Sequence, residues 1–230
     1  MAEIEYSGRD NLDVMLMAKN YNAYLVDLIS TPARQDSTII DFGAGSGTFA
    51  TPLRALGYDV RCVETDPVLK AGLEKAGFQV NDDLDRVEDG SVDYLYSLNV
   101  LEHIPDDDFI LRLWFKKLKS GGEVLVYVPA FPVLFSSMDT KVGHHRRYTI
   151  KDLQRKLEAA GFSIGRSRYA DCVGFFATLA YKLMGDKDGG INPTALRIYD
   201  KFIFPLSRLL DTLAGSFFGK NVYVRARKPR

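Results

Sequence analysis

Three glycines at alternate positions behind an aspartate, Asp41-Phe42-Gly43-Ala44-Gly45-Ser46-Gly47, carry the clearest chemical signal in this sequence. The apolar run Ser37 to Phe42 precedes them and a helical stretch, Thr48 to Leu56, follows. They therefore form the turn from a strand into a helix, where the missing Cβ atoms let backbone approach a ligand closely. A dinucleotide fingerprint, G-x-G-x-x-G, requires glycine where this chain has Thr48, and a phosphate-binding P-loop requires a Gly-Lys-Ser/Thr that does not follow. The turn fits neither pattern, and what remains is D-x-G-x-G-x-G.

A second set of residues could move protons and hold charge. His103 lies just beyond the apolar strand Val92 to Leu98, and Val142-Gly143-His144-His145-Arg146-Arg147-Tyr148-Thr149 follows the strand Val124 to Val128. Imidazoles titrate near neutrality and serve as general bases, while guanidinium groups grip phosphate or carboxylate. His103 is either such a base or a helix-capping residue after Glu102. Consecutive side chains diverge, so only one of Arg146 and Arg147 is expected to face a ligand. Alternatively, Arg147 and Tyr148 fix the loop internally while His144 or His145 alone meets substrate. Adjacent histidines with only one other in the chain do not make a zinc site, and no metal is expected.

Composition removes several function classes. Thirty basic and thirty acidic residues cancel, so no global field draws the chain onto nucleic acid. Cys62 and Cys172 lie far apart and suggest no disulfide framework, which fits a reducing cytosol. The opening residues show no basic and apolar leader. The greasiest tract, 194 to 218, is interrupted by Arg197, Asp200, Lys201, Arg208 and Asp211, too many charges to span a bilayer. It leaves open peripheral contact with a membrane surface, a cover over an apolar acceptor, or helix packing and a dimer interface; the chain is expected to be a monomer or homodimer.

The elements that position these residues alternate. Val14, Met17, Ala18, Tyr21, Leu25 and Leu28 predict an N-terminal helix ending before Pro32. Strands are predicted at Ser37 to Phe42, Tyr58 to Val63, Phe78 to Val80, Val92 to Leu98, Val124 to Val128, Phe162 to Tyr169 and Asn221 to Ala226. Helices separate the earlier ones: Val68 to Ala76 with Asp66 as N-cap, Asp106 to Lys119, and a helix to Ala160 opened by a Thr149/Asp152 capping box. This predicts an α/β fold, a doubly wound Rossmann-like sheet of seven strands. Long helical material from Phe175 to Phe218 forms an insertion before the last strand, which returns to the sheet edge as a hairpin partner. One domain over 1–230 is expected, with an N-terminal lid helix (1–34), a core (35–170), a helical cap (171–220) and a final strand and tail (221–230). Gly185 to Pro193 is predicted to be a mobile loop.

The D-x-G-x-G-x-G turn resembles motif I of the class I S-adenosylmethionine (SAM)-dependent methyltransferases. Further pieces follow in order: Val60 to Glu64, the Asn81-Asp82-Asp83-Leu84 run, Asp93 to Ile104, and Leu118-Lys119-Ser120-Gly121-Gly122. The Asp93 to Ile104 stretch resembles the ubiquinone-type subgroup. Val128 to Pro132 with the 142–149 run resembles the VPAF and GHxRRYT signatures of methyltransferases similar to types 11 and 12, often associated with glycan, lipid or secondary-metabolite assembly. The resemblance implies SAM as cofactor, its amino-acid end near Asp41, its methionine and ribose wrapped by Gly43, Ala44, Gly45 and Gly47, and its ribose hydroxyls on Glu64. Thr65 follows Glu64; Asp83 or Asp82, with Leu84, would meet the adenine, and Asn99 would lie beside the sulfonium. Asp66 is either a ligand or a helix cap. Tyr21, in a segment with Tyr6, Asn20 and Asn22, would belong to a lid folded over SAM; on its apolar helix face it is otherwise a core residue.

On this reading His103, His144 and Tyr148 are the catalytic candidates, and His145, Arg146, Arg147 and Tyr21 the substrate-binding ones. The expected reaction is methyl transfer to a small or lipid-linked anionic acceptor at oxygen. A catalytically inactive SAM-binding module and a nicotinamide-dependent oxidoreductase on a similar sheet are the alternatives.

Overall fold

The computed structural model describes residues 14–184 and 192–230. Tyr6 and most of the Gly185 to Pro193 loop lie outside the described residues. Seven strands, β1 (Ile39–Phe42), β2 (Val60–Val63), β3 (Val80–Asn81), β4 (Val92–Leu98), β5 (Leu118–Pro129), β6 (Ser163–Ala170) and β7 (Asn221–Arg227), form one sheet in the order β3-β2-β1-β4-β5-β7-β6. The first five run parallel. β7 is antiparallel to both its neighbours and inserts between β5 and β6, so β6, not the last strand, forms the edge. Burial explains this placement: Val222, Tyr223, Val224 and Ala226 are hidden on both faces, a pattern suited to an interior strand.

Each face of the sheet has its own core. Val124, Val126 and Val128 of β5 join Trp114, Leu153 and Leu157 on one side, while Leu125 and Tyr127 join Leu25, Leu53 and Tyr96 on the other. This is the two-residue alternation of a strand covered on both faces. The helices supplying the cover are α1 (Lys19–Ser30), α2 (Ala50–Ala55), α3 (Pro67–Lys75), α4 (Asp107–Lys117), α5 (Ser137–Lys141) and α6 (Ile150–Ala159). The insertion consists of α7 (Cys172–Met184), α8 (Pro193–Ile198) and α9 (Phe204–Ala214), the last two joined by a wider π-helical turn, Tyr199–Ile203.

Two boundaries depart from the sequence pattern. The N-terminal helix breaks at Ala18, whose ψ of 71° is not helical, and α1 restarts at Lys19. Its first N–H groups are satisfied from the far end of the chain: Asp200 accepts from the backbone N–H of Asn20 and of Tyr21, each at 2.9 Å. The helix predicted to Lys119 stops at Lys117, because Leu118 already pairs with Val92 and the strand then bulges before Tyr94 and Glu123 resume pairing. A Cβ on Gly122 would lie 2.9 Å from the Lys119 carbonyl, so the glycine pair permits this close backbone approach.

The insertion is tied down by buried polar contacts. Asp211 accepts from the backbone N–H of Asp171 (2.8 Å) and Cys172 (2.9 Å), while Asp171 accepts from the Ser207 hydroxyl at 2.8 Å. Paired in this way, the buried carboxylates orient α9 against the start of α7.

Candidate active site

A cavity of about 520 Å³ opens at the carboxyl ends of β1, β2 and β4, where ligands of open α/β sheets bind. The glycine turn forms one end. Its backbone is anchored by Gly43 and Ala44 N–H groups donating to the Val63 carbonyl at 2.9 and 3.1 Å. Gly43 and Gly47 have φ of +79° and +80°, and a Cβ at Gly43 would lie 2.4 Å from Val100 Cγ2. Glycine is required there by both conformation and space.

Two carboxyl groups border this turn. Glu64, buried at the end of β2, accepts the Gly45 N–H at 2.7 Å through one oxygen and the Asp66 N–H at 2.9 Å through the other. This cross-link fixes both carboxylate and turn. Asp41 is 2 % exposed and its Oδ2 has no hydrogen-bond partner. Burial pushes its carboxyl up to about 7, and the nearby charge of Glu64 acts in the same direction. Thr65 also lines this end. Asp66 both lines the cavity and caps α3, accepting from Val68 and Leu69 N–H at 2.9 and 3.1 Å.

Asp82, Asp83 and Leu84 do not line the cavity. Asp82 pairs with Lys70 at 2.5 Å, Asp83 accepts the Asp85 N–H at 2.8 Å, and Leu84 is fully buried in the core. The turn after β3 thus satisfies itself instead of presenting these groups.

Asn99, at the end of β4, also lines the cavity, in the left-handed conformation at φ 54° that asparagine tolerates. Beyond it, the Leu101–His103 turn and the segment after β5 close the other end. The donor atoms of Glu102, His103 and His144 lie within 4.8 Å of one another. His144 Nδ1 is 2.7 Å from Asp139 Oδ1, and its Nε2 is 3.7 Å from Glu102 Oε1. Arg147 holds the same aspartate bidentately, through Nε at 2.8 Å and Nη2 at 2.9 Å. Burial alone would raise Asp139, but hydrogen bonds from His144 and Arg147 outweigh it and hold the carboxyl well below its usual range. The ionised Asp139 accordingly selects the His144 tautomer protonated at Nδ1, leaving Nε2 with a lone pair.

The neighbouring groups are kept uncharged. Glu102 is fully buried with no hydrogen-bond partner for either carboxyl oxygen, and burial pushes its carboxyl up to about 8. His103 packs edge-on to His144 with centroids 4.6 Å apart, and burial lowers it to about 4. One carboxyl and two imidazoles have the composition of a divalent-cation site, a grouping that the adjacent His144-His145 pair does not reveal.

Three expected site residues face elsewhere. Tyr148 is 2 % exposed and donates its hydroxyl to Asp107 at 2.8 Å, outside the cavity. Arg146 pairs with Asp107 at 2.8 Å and donates to the Pro105 carbonyl, also at 2.8 Å. His145 is exposed and contributes its backbone N–H to the Glu102 carbonyl at 2.8 Å. His144 and Arg147 line the cavity, whereas Arg146 does not. Tyr21 lines it from α1, wedged against Tyr127 and Phe204 with centroids 6.4 and 5.5 Å away.

Glu102, Asp139 and Lys220 also line the cavity and were not singled out from sequence. Asp139 could have been found from Ser136-x-x-Asp139, a capping-box spacing that is realised at α5. Lys220 carries no local signal, because it reaches the site only after the whole insertion.

Residues 17–165 match the family model described as a methyltransferase domain. The chain belongs to that methyltransferase domain family. Its members are SAM-dependent transferases, and distant homology extends to ubiquinone biosynthesis O-methyltransferases. One of these, from Xanthomonas oryzae pv. oryzae (strain PXO99A), is 31 % identical over 119 residues, 46 % of this chain and 48 % of that protein. The chain thus spans about half the length of such curated relatives. Among solved structures, a methyltransferase in complex with the Haloferax volcanii Trm112 methyltransferase activator superposes with a TM-score of 0.67 at 16 % identity, covering 98 % of both chains. A Haemonchus contortus phosphoethanolamine N-methyltransferase 2 bound to SAM has a TM-score of 0.62 at 20 % identity, covering 92 % of this chain and 53 % of the other. These similarities match the mixed sheet with its last strand antiparallel. No helix among the described residues is long and apolar enough to cross a membrane.

Proposed function

We propose that this methyltransferase-family chain transfers the SAM methyl group to an oxygen of a small or lipid-linked anionic acceptor, using His144 as the base. The supporting observation is that His144, held by Asp139 at 2.7 Å, lines the same cavity as Asp41, Gly45 and Glu64. SAM supplies an activated methyl on a sulfonium, so the protein's task is to align the acceptor and manage its proton. The unpartnered Asp41 oxygen suits the SAM ammonium group, and Glu64, rigid through its two backbone contacts, suits the ribose diol. Asn99 lines the same cavity.

At the other end, His144 Nε2 takes the hydroxyl proton and Asp139 stabilises the resulting imidazolium, the positioning logic of a histidine–aspartate pair. Lys220 lines this end and supplies a cation for a phosphate or carboxylate, with burial lowering its pKa. Arg147 is largely committed to Asp139, and Arg146 is outside, so Lys220 assumes the charge-pairing role expected of the arginines. The O-methyltransferase relatives favour oxygen as the accepting atom. Tyr148, Arg146 and His145 shape the loop, and Tyr21 covers the cavity as part of the N-terminal lid.

The test is methyl transfer from labelled SAM to hydroxylated phosphates and carboxylates, offered in water and in detergent. His144→Ala should lower turnover by about 100-fold or more while SAM affinity stays at the wild-type level, and Asp139→Asn should follow it. Unchanged turnover in His144→Ala would remove this residue as the base.

A further inference from the structure

The insertion carries an apolar face that stays exposed among the described residues. Phe202, Leu206, Leu209, Leu210 and Leu213 recur at i, i+4, i+7, i+8 and i+11 and are 61, 50, 66, 41 and 79 % exposed. The opposite face of the same helical run holds Phe204, Ser207 and Asp211, all buried against the domain. Greasy residues thus point outward and a paired carboxylate inward, the reverse of an ordinary surface helix.

Charge identifies the occupant. Both acids of the run, Asp200 and Asp211, are 5 % exposed and are consumed by backbone N–H groups of α1 and α7. Of its bases, Arg197 and Lys201 are exposed, while Arg208 lies 3.7 Å over the Tyr24 ring and 3.6 Å from Asp211. Against α9 lies a separate cleft of about 260 Å³ lined by Arg166, Arg168, Arg208 and Arg225, opposed by Asp27 and Asp211. Asp211 is already paired; Arg168 and Arg225 donate through Nη2 to the Asp211, Thr212 and Leu28 carbonyls, while Arg225 Nε has no hydrogen-bond partner and Arg166 is exposed. An apolar stripe bordered by bases and adjoining an arginine cleft matches an anionic bilayer, with acyl chains beside the stripe and a phosphate headgroup in the cleft.

We infer that α8, α9 and this arginine cleft dock the protein on the surface of an anionic lipid bilayer. The docking face adjoins the cavity. Arg197 contacts Met17 Sδ at 3.4 Å, and the exposed Leu16 beside it lines the cavity. α1 spans both features, with Tyr21 and Asn22 at the cavity and Tyr24 and Asp27 at the cleft. An acceptor dissolved in the bilayer would therefore meet the cavity at the docked face. Docking itself does not depend on which atom is methylated.

The experiment is co-sedimentation of the full chain with phosphatidylcholine vesicles, with and without phosphatidylglycerol, at low and physiological salt. Binding should require phosphatidylglycerol and weaken with salt. L209S/L213S and, separately, R166E should each reduce partitioning about tenfold, while calorimetric SAM affinity and the thermal midpoint stay at wild-type values. Absence of binding to the anionic vesicles, or equal binding to both compositions, would overturn the assignment. So would a wild-type dimer that L209S/L213S converts to a monomer without altering vesicle binding, since the stripe would then be an interface between copies.

Discussion

Asp41 illustrates how a single residue's surroundings become a measurable property. Its carboxyl is raised to about 7 because it is buried, with the charge of Glu64 acting in the same direction. An ammonium group placed there would favour the ionised form, so SAM binding near pH 6.5 should release protons. Calorimetry in two buffers of different ionisation enthalpy reads this directly, and Asp41→Asn should abolish the buffer dependence and weaken binding. The same shift affects folding: the native state keeps a proton that the unfolded chain has lost, so between about pH 4 and 7 the ligand-free protein loses stability as pH rises, at most about 1.4 kcal/mol per unit from this group. Asp41→Asn should flatten that slope in thermal melts. The residue's importance was legible in its spacing from the glycines. The burial that shifts it was not, since it depends on what β2 and β4 pack around it. The catalytic and substrate-binding candidates divided along similar lines: His144, His103, Arg147 and Tyr21 reach the cavity, whereas Tyr148, Arg146 and His145 are drawn off by Asp107 and backbone groups whose sequence distance hides them.

At the scale of elements, local signals gave β4, the Asp66 cap and the Thr149/Asp152 capping box, each specified by neighbours within a few residues. What escaped was long-range pairing. The insertion of β7 between β5 and β6 depends on burial on both faces, and the start of α1 depends on a cap from Asp200, 180 residues away. Asp200→Ala should cost about 1–2 kcal/mol as a lost N-cap, observed as a lower thermal midpoint. SAM affinity should fall as well, because Tyr21 is one of the two residues whose N–H that carboxylate holds. A lower midpoint with wild-type SAM affinity would separate the lid helix from the cofactor site. Gly43→Ala tests the turn: with positive φ and Val100 in the way, it should destabilise the fold by 2 kcal/mol or more, to order of magnitude, and abolish SAM binding.

For the whole molecule, strand–helix alternation was sufficient to predict the seven-stranded architecture, because each period is set by the covering of one sheet on both faces. The division of labour within the cavity was less readable. The proposed cofactor end comes from one contiguous turn and one strand end, while the proposed acceptor end is assembled from the β4 turn, α5, the 142–149 loop and Lys220 beyond the insertion. The central claim is that SAM occupies the first end and leaves the second for an acceptor beside His144. A crystal structure of the complex with S-adenosylhomocysteine tests it most directly. The account predicts the ligand's amino group at Asp41, its ribose hydroxyls on Glu64 and its sulfur directed past Asn99 toward His144. A ligand whose sulfur points away from His144, or one bound outside this cavity, would contradict it.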